Sequence, residues 1–101
     1  MPELTIDRKT AERMGYDDVV AAESVEVRGL LVELCLVRPG HAVSGDQYAL
    51  VYHSDCDPDR PDRGFSSVET AGKDPNKAAD AYLAALAAIR ADAELPSPGL
   101  R

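Results

Sequence analysis

The sequence predicts an α+β domain: a three-stranded antiparallel sheet, with room for a fourth short strand near Leu4 to Ile6, packed against a C-terminal helix. Three observations carry this prediction. Gln47 to Ser54 alternates cleanly, with Tyr48, Leu50 and Tyr52 on one side and Ala49, Val51 and His53 on the other, which is the period of a strand. Val25 to Val37 is dense in valine and leucine. After Asp74-Pro75, Ala79, Tyr82, Leu86, Ile89 and Ala93 recur at the three- and four-residue spacing of a helix with one apolar face.

Short helical segments are expected near the N-terminus. Asp7 to Met14 suits a first helix, with Asp7 as N-cap and Gly15 as a C-terminal stop. Tyr16 to Glu23 reads as a second helical turn behind an aspartate cap, with a loop pinned by its valines as the alternative. Val25 and Val27 then share one phase of a strand, while Leu30, Val32, Leu34 and Leu36 share the other. Gly29 marks the slip, so one strand kinked at a bulge is predicted there. Leu31, Cys35 and Val37 make its opposite face partly apolar, as in a strand covered on both sides.

Arg38-Pro39-Gly40-His41 and Ser44-Gly45-Asp46 punctuate a hairpin connection to the strand around Tyr48 and Tyr52. Residues 55 to 63 hold four aspartates and two prolines and cannot join a ladder, so an exposed loop is expected there. Gly64 to Thr70 supplies a short strand at the sheet edge. Asp74 caps the last helix and Pro75 takes its first position, where a fixed φ is favourable. The helix runs from about Pro75 to Glu94, its alanines allowing close approach to the sheet, and residues 95 to 101 form a flexible tail outside the single 1–94 domain.

Composition narrows the function classes. With 45% hydrophobic and 29% charged residues in 101, the chain can bury one core and is not of disordered type. Apolar runs such as Leu30-Leu31-Val32 are far below the roughly 20 residues a membrane helix needs. Met1 to Thr5 has neither the basic stretch nor the apolar run of a secretory leader, so a cytoplasmic setting is expected. Acidic residues outnumber basic ones 18 to 11, and the net charge of −7 opposes the counterion release that drives general nucleic-acid binding. The expected partner is therefore a basic protein. Asp55, Asp57, Asp59 and Asp62 are its candidate contacts, with Tyr48 and Tyr52 as an aromatic patch on the sheet.

No catalytic or metal-binding residues, and no cofactor, are predicted. His53 and Cys56, with His41 and Cys35, have the donor types of a zinc site, but the four lie on a strand and in separate loops without the tight paired knuckles such sites use. Asp55, Asp57 and Asp59 open like a calcium loop, yet Arg60 stands at the position that needs glycine and Ser66 where glutamate is needed. Cys56, His53 and Asp55 bring nucleophile, base and acid types together, but no oxyanion donor accompanies them. Cys35 is expected to be buried and Cys56 exposed, both as thiols.

Three families share features with the chain. The order helix, three strands, helix, with Pro39-Gly40-His41 and Gly72-Lys73-Asp74-Pro75-Asn76-Lys77-Ala78-Ala79, resembles a double-stranded RNA-binding domain. That resemblance implies phosphate contacts from Lys73 and Lys77, between which the acidic Asp74 stands. The strand-strand-strand-helix part also resembles the domain of HicB-type antitoxins, without their proline-glycine segment before the third strand. In size, acidity and its Gly-x-Asp-Pro helix start, the chain is similar to small phage-encoded inhibitors of bacterial defence of the anti-CRISPR type. This last resemblance implies an inhibitor that occupies the basic surface of a nucleic-acid-handling protein.

Overall fold

The structure is a computed structural model that describes residues 4–16, 18–27, 29–40, 42, 44–54 and 65–94. In chain order, α1 (Arg8–Met14) is followed by strands β1 (Val19–Val27), β2 (Leu30–Val37), β3 (Ala49–Ser54) and β4 (Phe65–Thr70), and then by α2 (Pro75–Glu94). The strands form one antiparallel sheet in the order β1-β2-β3-β4. The fold is therefore the expected α+β class, with its fourth strand at Val19–Val27. Near the N-terminus, Ile6 makes only a single parallel bridge to Ala22.

Helix α1 has clear ends. Asp7 precedes it in an extended conformation, and its carbonyl accepts from the Ala11 amide at 3.0 Å. Gly15 closes it at φ 82°, where the Gly15 amide donates to the Glu12 carbonyl and the Tyr16 amide reaches back to Ala11. This closure satisfies carbonyls that the helix would otherwise leave open.

Strand β1 replaces the second helical turn expected at 16 to 23. Its register slips between Val19 and Ala21, and the next two residues, Ala21 and Ala22, are wholly buried on opposite faces of the sheet. A segment covered on both faces shows no alternation, and a bulge hides what remains of the period. The adjacent valines tip the backbone towards the strand because β-branching restricts them in a helix. Gly29 does not kink one long strand. It turns the chain between Val27 and Leu30, which are paired, so the phase slip in the sequence is a reversal of direction. Its φ of 83° lies in the left-handed region, where a side chain costs roughly 1–2 kcal/mol.

The helices lie on opposite faces of the sheet. On one face, Ala78, Tyr82 and Leu86 of α2 pack against Ala21, Leu34, Leu36 and Leu50. On the other, Ala11 of α1 packs against Val19, Ala22, Cys35, Val37 and Val51, with Met14 and Tyr16 at the margin. Both helices pack chiefly over β1 and β2. The β2–β3 connection is pinned by Ser44, whose hydroxyl donates to the Arg38 carbonyl at 2.8 Å. At the start of α2 the Asp74 carboxylate accepts from the Asn76 amide at 2.9 Å, as a helix cap should. Among the described side chains of this helix, Ala78, Ala79, Tyr82 and Leu86 are the buried ones, in agreement with the face read from its spacing; Ala93 lies outside them. No helix among the described residues is long and apolar enough to cross a membrane.

Candidate binding site

The α1 face of the sheet carries an acidic residue where its neighbours in phase are apolar. Glu33 shares the face of Cys35 and Val37, and only 2% of its side chain is exposed. A buried carboxylate needs partners. Arg13 of α1 donates from Nε to Glu33 Oε2 at 2.7 Å, and His53, directly across on β3, places Nδ1 3.1 Å from Oε1. Because a carboxylate can only accept, the Nδ1 proton faces it. Arg13 also donates to the buried Thr10 hydroxyl at 3.2 Å, which in turn donates to Asp7. That hydroxyl is the main cause holding the Asp7 carboxyl below its ordinary range. One chain of polar contacts thus ties the helix start, the helix body and two strands together.

This cluster forms a wall of a groove of about 220 Å³ between α1 and the outer strands. Arg13, His53 and Ser66 supply its polar rim, and Met14, Tyr16, Val51 and Val68 its apolar floor. Val68 is 46% exposed, a large value for a valine in a sheet. Glu33, His53 and Ser66 are cross-strand neighbours on β2, β3 and β4. Carboxylate, imidazole and hydroxyl in a row have the types of a hydrolytic triad, but among the described residues Ser66 makes no hydrogen bond to His53, and Arg13 already occupies Glu33. A second groove, of about 330 Å³, lies between α1 and the start of β1. Across its mouth Arg38 pairs with Asp18 at 2.9 Å.

Beside Glu33 the Cys35 thiol is fully buried, and burial, assisted by the Glu33 charge, pushes its pKa up to about 12. On the other face, the Tyr82 hydroxyl has no hydrogen-bond partner among the described residues, and burial raises its pKa as well. Arg90 reaches from α2 to Glu23 of β1 at 2.6 Å, a tie between helix and sheet.

Of the residues singled out in the sequence, Tyr48 and Tyr52 lie on the α2 face, half-buried against the core there. The Tyr52 hydroxyl donates to Glu69 at 3.4 Å, and its pKa is raised by burial first and by that carboxylate second. Asp55, Asp57, Asp59, Asp62, His41 and Cys56 lie outside the described residues. Among those described, no three His, Cys, Asp or Glu side chains converge as metal ligands would. Lys73 pairs with Asp46 at 3.1 Å, both side chains being exposed. Sequence reasoning passed over Glu33 and Arg13. The available signal was an acidic residue inside an apolar strand, in the phase of Cys35 and Val37. The chain matches no protein-family model, no curated protein and no solved structure.

Proposed function

We propose that the chain is a non-enzymatic protein-binding module that engages a basic partner through the half of its sheet formed by β3 and β4. The observation that carries this reading is the placement of the helices: both pack chiefly over β1 and β2, leaving the far side of the sheet with an exposed Val68 and an open groove. The net charge of −7 supplies the sign of the partner, since acidic groups steer a basic surface into encounter. In its sharper form the module is a cytoplasmic inhibitor of phage or mobile-element origin, and the partner a nucleic-acid-handling host defence protein, such as a CRISPR–Cas component. The acidic groups, Asp55, Asp57, Asp59 and Asp62 among them, would stand in for phosphates. On this reading Lys73 does not grip phosphate, since its ammonium faces Asp46 and a capping aspartate follows it.

Titration with poly-lysine and with duplex RNA and DNA over a range of salt tests the proposal. Poly-lysine should bind with an affinity that falls as salt rises, and the duplexes should not bind. Duplex binding with a steep salt slope would overturn it in favour of a nucleic-acid-binding or antitoxin-type module.

A further inference from the structure

We infer that β4 is an acceptor edge that takes an extended peptide segment of alternating apolar and basic residues as a fifth strand. The inference rests on the protein-binding reading above and names the partner's chemistry. The two edges of the sheet differ. On β1, the Ala22 carbonyl accepts from the Asp7 amide at 2.8 Å and the Ala22 amide donates to the Thr5 carbonyl at 3.0 Å, so chain occupies that edge at Ala22, beside a register slip. On β4, no described residue pairs with the outer side. Its register with β3 is unbroken from Phe65 to Thr70, and the strand carries no lysine, proline or bulge, three of the devices that blunt an edge; its one charged residue is Glu69.

The direction of each amide follows from the ladder. The Ala71 amide donates to the Tyr48 carbonyl at 2.7 Å, which makes Ala49–Thr70 a pair that does not exchange hydrogen bonds. By alternation, Ser66, Val68 and Thr70 turn their amides and carbonyls outwards. The same residues share a face with Val51 and His53. Across the sheet Ala22, Cys35, Val51 and Val68 stand in one cross-strand row, buried in its first three members and 46% exposed in the last. A strand added at β4 would place one residue directly beside Val68, and an apolar side chain there would extend the row over the groove floor. Its neighbours in sequence would emerge on the opposite face beside the exposed Glu69. A lysine or arginine fits that position. A second copy of this chain fits it poorly, because each copy brings its own Glu69 and a net charge of −7.

The test uses the intact chain and a fluorescent, end-blocked hexapeptide of alternating lysine and valine, read by anisotropy. The wild type should bind it better than a glutamate-valine hexapeptide. N-methylation of the peptide amides on one edge should weaken binding by roughly tenfold, the scale of one or two lost backbone hydrogen bonds. Val68→Pro, which deletes an outward amide and leaves the β3 ladder intact, should do the same with an unchanged circular dichroism spectrum. Glu69→Lys should shift preference towards the glutamate-valine peptide. If Val68→Pro is poorly folded, the N-methylated peptide on the wild type decides alone. Equal binding by the N-methylated peptide overturns the inference; if poly-lysine still binds in a salt-dependent way, only the edge is wrong, and if no basic probe binds, the wider reading falls too. Concentration-dependent dimers that disappear in Val68→Pro would also overturn it, by making the occupant a second copy.

Discussion

Glu33 shows how one residue can organise a face of a small domain. Its carboxylate is buried while its partners are not, with side chains 44% exposed for Arg13 and 37% for His53. Truncating either end of the Arg13 contact therefore has unequal costs. Arg13→Ala strands a buried charge with only the His53 contact, and a loss of about 2–4 kcal/mol is expected in urea denaturation. Arg13→Ala combined with Glu33→Leu removes the charge that needed a partner and should recover most of that loss, because replacing a buried pair by apolar groups is often neutral. A double variant as unstable as the single one would show that the contact adds net stability. Cys35 supplies a second expectation at this scale. Its pKa rises from an ordinary 9.0 to about 12 in the folded chain, so between those values the unfolded state ionises and the folded state does not. The folded state then binds more protons, and stability falls as pH rises, by at most about 1.4 kcal/mol per pH unit for this group. Urea midpoints at pH 8 and pH 10.5 should show the decline, in wild type more steeply than in Cys35→Ala. Tyr82, Tyr16 and Tyr52 titrate in the same sense, so part of the slope should survive that substitution.

At the scale of elements, α2 was fully legible because its signals agree: a capping aspartate, proline at the first position and one apolar spacing repeated over the helix. β3 and β4 were legible from alternation and from the position of glycine and proline around them. β1 was legible only at Val25 and Val27, since further back a bulge and burial on both faces erase the period on which such a reading depends. The turn at Gly29 was seen as a disturbance but not as a reversal, because a phase slip is common to both. The ion-pair cluster was illegible for another reason: it joins α1, β2 and β3, and sequence spacing does not report which strands become neighbours. The helix-sheet contact yields a direct test. Leu86 is 3% exposed and faces Leu34, Leu36 and Leu50 in one core, so Leu86→Ala should cost about 2–5 kcal/mol. Arg90→Ala removes a mostly exposed ion pair with Glu23 and should cost no more than about 1 kcal/mol. Guanidinium melts of the two variants separate a load carried by packing from one carried by charge, and comparable losses would contradict the assignment.

For the whole molecule, charge and shape make separate contributions to recognition. The edge strand and its groove offer short-range contacts, which set how long a complex lasts, while the net charge of −7 acts over a Debye length and sets how often encounters succeed. Asp55, Asp57, Asp59 and Asp62 stand in sequence between Ser54 and Phe65, which pair at one end of the proposed acceptor edge. Replacing all four by asparagine changes the net charge from −7 to −3 and touches no residue of either core cluster, so the fold should persist with an unchanged melting temperature. In stopped-flow mixing with a basic probe such as the lysine-valine peptide, the association rate should fall several-fold at low salt, with the dissociation rate nearly constant. The difference should vanish near 0.5 M salt, where the Debye length is only about 4–5 Å. Val68→Pro should show the reverse pattern, a faster dissociation that salt does not mask. An unchanged association rate for the quadruple variant at low salt would remove these aspartates from the steering surface and leave Glu69 and the sheet face with Tyr48 and Tyr52 as the groups that meet the partner.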